Sequence, residues 1–434
     1  MHNSAFDKGK VPRRAALAAV GGTAAIGSLL GAHALGRTAG QDAQGAATGH
    51  DLKIGYLPIT DSAPLLLAHA NGLYEKHGAK VAQPVMFRSW ASLTEAFISG
   101  TVDVIHLLMP ISIYLKYELQ ADAQIIAWNH VNGSALTVAP SITETPQLAG
   151  KTIAIPGWFS IHNILVQKIL REAGLTPVIR QTADAAKGEV TLIVMAPSDM
   201  IPALTNGTIA GFTVADPFNA AAVATKAGRI HRFMGDVWRE HACCVTMMRS
   251  SLIDRGDGAA QNFTNALVEA QIFAREHRKD AAKILSDHYL PQKPAAIARA
   301  MTDHLNEHRD AVMHPSWGGQ LLQFQPYPYP SFTEELVAHM GKTLMDAPTD
   351  FLQNLDPAAV HQELVNHDLV VTAIEAAGGL GVFGQKSFDR TEEIDGERSA
   401  TTNAPATNAA TATAVATEPA TTDAVTATSK GNHA

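Results

Sequence analysis

Short apolar runs alternate with amphipathic stretches along most of this chain. Leu52-Lys53-Ile54-Gly55-Tyr56-Leu57 reads as a strand stopped by Pro58, and Ser62 to Gly72 sets Ala63, Leu66, Leu67 and Ala70 on one face at helical spacing. Gly78 to Met86 reads as extended, Trp90 to Ser99 as a helix and Val102 to Leu108 as a buried strand. The alternation restarts after Pro146. Lys151 to Ile155 is a strand, His162 to Gly174 a helix closed by a glycine suited to the C-terminal cap, and Val190 to Met195 a strand. Ser198 to Asn206 is then a helix, and Gly211 to Ala215 a strand running into Asp216-Pro217. Cys243 to Met248 reads as a returning strand, and 259–342 as mainly helical with a Pro/Tyr/Gln-rich break between Pro315 and Pro330.

Strands that alternate with helices predict right-handed parallel crossovers and helices on both faces of a sheet. Two such units predict an α/β protein of two lobes, each an open, mostly parallel sheet flanked by helices. The expected boundaries are 51–140 for the first part of lobe 1, 141–235 for lobe 2, and 236–390 for the return strand and C-terminal helices. The expected hinges are at 140–151 and 232–245. Ligands of open sheets bind beyond the carboxyl ends of the strands, so the expected site is a cleft between the lobes, lined by loops that follow strands.

The ends of the chain differ from this middle. Lys8, Lys10, Arg13 and Arg14 precede an Ala/Gly-rich apolar run from Ala15 to Leu30 and then Ala32-His33-Ala34, the order of a secretory signal, so 1–34 is expected to be a twin-arginine-like signal peptide. The other reading of this segment is an uncleaved membrane anchor. Residues 35–50 read as a linker and 391–434 as a disordered Ala/Thr-rich tail. The net charge of −8, without a long basic run, excludes a nucleic-acid partner.

Four loops after strands hold polar or aromatic residues: Pro58 to Pro64, Arg88-Ser89-Trp90, His106 to Pro110 and Gly157 to Asn163. The stretch from Lys53 to Leu65, with Ser89-Trp90-Ala91, Val104 to Pro110 and Ala215-Asp216-Pro217-Phe218-Asn219, resembles the periplasmic nitrate- and bicarbonate-binding proteins of ABC transporters. That wider group also includes binders of sulfonates, taurine and thiamine-pathway pyrimidines. The resemblance runs from Asp51 to about residue 290. It implies the type II periplasmic binding-protein fold, export, a small oxyanionic ligand, an ABC permease as partner, a monomer and no cofactor. It also implies cleft roles for Trp90, His106, His162, Asp61 and Pro217. Ser134 falls where the nitrate branch carries a glutamine, and Glu240 to Val245 lacks that branch's lysine, which leaves an anion to neutral donors, Arg88 or His241.

The alternatives lie elsewhere in the same chemistry. The 19 histidines show no HxH or helical HxxxH spacing, so no metal site is expected. The only two cysteines are the neighbours Cys243 and Cys244, which read as small buried apolar residues, a vicinal disulfide or a thiolate site. A thiamine-pyrimidine-synthase-like enzyme, or a metal- or pyrimidine-binding protein on the same fold, is the competing function. No nucleophile elbow or phosphate loop is present, and no enzymatic activity is expected.

Overall fold

The computed structural model describes residues 51–395 apart from 181, 303–306, 315–316 and 318–321. The expected signal peptide and linker, and the tail from residue 396 on, lie outside the described residues. Among the described residues no helix is long and apolar enough to cross a membrane.

The first sheet is built from β1 (Ile54–Tyr56), β2 (Val85–Met86), β3 (Val104–Leu108) and β4 (Ala123–Trp128). After β5 (Val131–Asn132) come the strands of the second sheet: β6 (Ser134–Val138), β7 (Thr152–Ile155), β8 (Thr176–Val178), β9 (Glu189–Val194), β10 (Gly211–Ala215) and β11 (Arg229–Phe233). The chain then returns to the first sheet as β12 (Cys244–Arg249), and β13 (Leu322–Gln323) pairs with β5. The strand orders are β2-β1-β3-β12-β4 and β11-β6-β10-β7-β9-β8. Most neighbours are parallel, whereas β12 runs antiparallel to β3 and β4, and β6 antiparallel to β10 and β11. Every residue of β3 is buried, His106 included, as expected of a mainly apolar strand covered on both faces. The strand expected over 78–86 shrinks to Val85–Met86 and a single bridge between Leu52 and Val81, because Pro84 has no N–H to give to a ladder.

Ser134–Val138 already belongs to the second sheet, so the first crossover is at 129–133 rather than at 140–151. The return crossover is at 234–243, and the two run side by side. Val131 bridges Ala242, and Asn132 N donates to His241 O at 3.0 Å. Asn132 and Gly133 both take left-handed backbone, at φ 59° and 81°, which turns the chain sharply into β6. A side chain at Gly133 would also meet Leu322 Cδ1 at 2.7 Å.

A helix at Pro330–Met340 lies against both crossovers through one ring. Phe332 packs edge-on against Trp128, with centroids 5.1 Å apart, and against Trp238 at 4.7 Å. Arg390 covers the group, 4.4 Å above the Tyr329 ring and 5.3 Å above Trp128.

The fold continues past residue 391, the expected start of the tail. Trp238 Nε1 donates to Glu392 at 2.7 Å, Ile394 bridges Trp238, and Asp395 pairs with Arg232. Composition concealed this, because a few specific contacts tie down a segment with little apolar content. A chain ending at Arg390 leaves the buried Trp238 indole without an acceptor. It should be less stable than one ending at Asp395 by at least ~2 kcal/mol in urea unfolding. Equal stabilities would show that residues 391–395 are not part of the fold.

Candidate functional site

The site grows from the ends of strands. After β1 the chain makes a tight turn at Thr60–Ser62 that buries Asp61 completely, and Asn129 Nδ2 donates to the Asp61 carbonyl at 3.4 Å. Asn129 in turn accepts from Thr246 Oγ1 of β12 at 2.6 Å, which fixes the end of β4 and places His130 beside Asp61. His130 Nε2 stands 2.9 Å from Asp61 Oδ2, with both side chains fully buried. Cys244 opens β12 and Cys243 immediately precedes it. Cys244 Sγ lies 3.5 Å from Asp61 Oδ2 and 3.7 Å from Cys243 Sγ, and both thiols are free.

Lobe 2 closes over this group. Ser134, the first residue of β6, holds His162 Nε2 at 2.9 Å, and Cys243 Sγ is 3.9 Å from Ser134 Oγ and 4.0 Å from His162 Nε2. His162 sits in the first turn of the helix Ile161–Glu172, whose cap Ser160 accepts from Asn163 N at 3.0 Å. Thr60 reaches across to lobe 2, donating N and Oγ1 to the Asp216 carbonyl at 3.0 and 2.9 Å. A small cavity beside Ser134 is lined by Asn132, Gly133, Ala135, Asp216, Phe233, Gly235 and Trp317.

Burial dominates the electrostatics. It raises the Asp61 carboxyl to about 6 even against the pull of His130, and the Asp216 carboxyl to about 7. It would lower His130, but the Asp61 carboxylate outweighs it and lifts the imidazole to about 10, so at neutral pH the two form an ion pair. Burial holds His106 down at about 3 and His241 at about 4, leaving both neutral. The Trp238 carbonyl, 3.0 Å from His241 Nδ1, puts that ring's proton on Nδ1. The two thiols separate. Burial pushes Cys244 well up, reinforced by Cys243. At Cys243 burial is overcome by the hydrogen bond from Cys244 and by His162 and His130, which hold the thiol well below its usual value.

Many buried polar atoms here have no partner: Asp61 Oδ1, both ring nitrogens of His106 and of His130, both amide atoms of Asn132, His162 Nδ1, His241 Nε2 and Trp90 Nε1. Each such atom costs about 1–3 kcal/mol when left dry, and a concentration of them marks a place built for something else to bind.

Of the residues singled out in the sequence, Asp61, Ser134 and His162 meet at this centre. Trp90 starts the helix Trp90–Ile98 and tilts over His106, with centroids 5.5 Å apart. Pro217 contributes backbone only, capping the helix Phe218–Ala224, while its neighbour Asp216 supplies the polar group. Arg88 is exposed, in the turn ahead of the helix cap, and does not join the buried group. His130 and the cysteines went unrecognised as a cluster. Applying the same after-strand rule to Ala123–Trp128 points directly at His130.

The two sheets and their paired crossovers give the chain the two-lobed architecture of the periplasmic binding proteins. The chain belongs to the NMT1-like family, whose model matches residues 45–286. It is similar to the nitrate/nitrite binding protein NrtA of Nostoc, 26% identical over 260 residues, which are 54% of this chain and 57% of that protein. It is also similar to the bicarbonate-binding protein CmpA of Synechococcus, 23% identical over 281 residues, 58% of this chain and 60% of the relative. The chain thus spans little more than half the length of these relatives. Among solved structures it resembles the periplasmic nitrate-binding protein NrtA from Synechocystis, with a TM-score of 0.64 and 20% identity over 78% of this chain and 92% of that one. It also resembles the ligand-binding component of an ABC-type import system from Staphylococcus aureus with zinc bound, with a TM-score of 0.59 and 21% identity over 75% and 99%. At these identities the solved structures establish the fold.

Removing one member of a buried ion pair strands the other charge. Asp61→Asn should destabilise the protein by about 3 kcal/mol at neutral pH in chemical unfolding. A loss below about 1 kcal/mol would mean that Asp61 and His130 are not an ion pair.

Proposed function

We propose that this chain is the solute-binding component of an ABC importer. It takes a small anion into the cleft between its lobes and presents it to a membrane permease, without catalysing a reaction. The observation that carries this reading is the set of unpartnered, buried polar atoms drawn from both lobes at the crossovers. Trp90 Nε1 and the Asn132 amide are donors, His162 Nδ1 is one in the tautomer whose Nε2 accepts from Ser134 Oγ, and an oxyanion brings acceptors without protons of its own. Asp216, with its carboxyl raised to about 7, is a further donor when protonated. The nitrate/nitrite- and bicarbonate-binding relatives make the same class of ligand the first to try.

On this reading the crossovers at 129–133 and 234–243 are the hinge, and ligand favours the closed arrangement in which Thr60 reaches Asp216. The protein acts outside the cytoplasmic membrane as a monomer, carried there by the Arg13-Arg14 signal.

The test is a thermal-shift screen of the purified protein against nitrate, nitrite, bicarbonate, taurine and alkanesulfonates. One anion at about a hundred times its dissociation constant should add roughly 2.7 kcal/mol, and Trp90→Ala or His162→Ala should weaken its binding by about tenfold or more. The absence of a shift with every anion would overturn the anion reading.

A further inference from the structure

Four side chains that the anion reading leaves aside meet on the lobe 1 side of the cleft: Asp61, His130, Cys243 and Cys244. One donor atom from each lies within 4.8 Å of all the others, and all four residues are buried. They come from three separate stretches of chain, so tertiary folding, and no local repeat, assembles the group. Adjacent residues of an extended strand send their side chains to opposite faces. Here the ladder begins only at Cys244, and both sulfurs point to one place.

Two edges of the group match those of a tetrahedron around one ion. Sulfur sits about 2.3 Å and oxygen or nitrogen about 2.0 Å from tetrahedral zinc, which sets sulfur–sulfur edges at about 3.8 Å and sulfur–oxygen edges at about 3.5 Å. The corresponding separations are 3.7 Å between the cysteine sulfurs and 3.5 Å from Cys244 Sγ to Asp61 Oδ2. The Asp61–His130 edge, at 2.9 Å, is shorter than the roughly 3.3 Å of such a tetrahedron. The two side chains are drawn together by their own attraction and need to part by a few tenths of an ångström.

A second observation points the same way. Asp61 Oδ1 and both His130 ring nitrogens are buried without a hydrogen-bond partner, the close approach of His130 to Asp61 being out of line for one. Two thiols, an imidazole and a carboxylate are the donors of a borderline, thiophilic cation. Magnesium and calcium take oxygen ligands. Ser134 and His162, in reach of Cys243 Sγ from lobe 2, are placed to hydrogen-bond a metal-bound sulfur.

We propose that Asp61, His130, Cys243 and Cys244 bind a single divalent ion of the zinc class in tetrahedral geometry, at the base of the interlobe cleft. The site stands whether or not the cleft also takes an anion.

The test uses the reduced, tag-free full chain stripped of metal, titrated with Zn²⁺ by calorimetry and with Co²⁺ by absorption. One ion per chain should bind, and the cobalt form should show intense tetrahedral d–d bands with thiolate-to-cobalt charge transfer. The double variant Cys243→Ser/Cys244→Ser should lose the charge-transfer bands and bind roughly a hundredfold more weakly or worse. Asp61→Asn should bind more weakly while keeping those bands, which tests the site even if the double variant fails to fold. Failure to bind either ion, or binding without charge transfer that survives loss of both cysteines, would overturn the proposal and leave only adventitious histidine contacts. The anion screen reads out separately, so the two ideas can fail independently.

Discussion

Strand β12 enters the first sheet between β3 and β4, antiparallel to both, and most of the site depends on that insertion. It brings the chain back from lobe 2, so its first residues lie where the lobes meet. It positions Thr246 to hold Asn129, Asn129 to hold the Asp61 turn, and the two cysteines against both Asp61 and the lobe 2 pair Ser134–His162. Without this strand β3 and β4 would have no shared neighbour, and no element would link the Asp61 turn to the crossover.

The crossovers meet conflicting demands. A hinge must change backbone angles without tearing a core, and a binding site must hold polar atoms in fixed places. The structure separates the two tasks. Asn132 and Gly133 supply the unusual backbone, whereas Trp128, just ahead of the first crossover, and Trp238, within the second, are anchored on Phe332 beneath them. Above that apolar floor lie a buried carboxylate, an imidazolium and a thiol held well below its usual value, a concentration of charge that a water-poor site sustains only through mutual pairing or a bound ligand.

Much of this was legible in the sequence. The strand–helix alternation indicated two α/β lobes, and of the residues the motifs singled out, Asp61, Ser134 and His162 come together where the lobes meet. What stayed hidden was long-range. Nothing in Trp128-Asn129-His130 announces that it will face Cys243, because the link is a strand pairing between distant segments. The register of β6, which moved the crossover to 129–133, depends on the left-handed turn at Asn132-Gly133. Arg88 had the charge to serve an anion but lies ahead of the helix cap, where its side chain goes to solvent. The stretch 391–395 looked like tail because its attachment is by Glu392, Ile394 and Asp395 individually, with no apolar pattern to reveal it.

The central claim is that a ligand binds where the two lobes meet at the crossovers. A crystal structure of the protein with its ligand tests this most directly. The account predicts density between the Asp61–His130–Cys243 side and the Ser134–His162 side, with the unpaired atoms of His162 or Asn132 engaged. Ligand density elsewhere on the molecule, with those atoms still unpartnered, would contradict it.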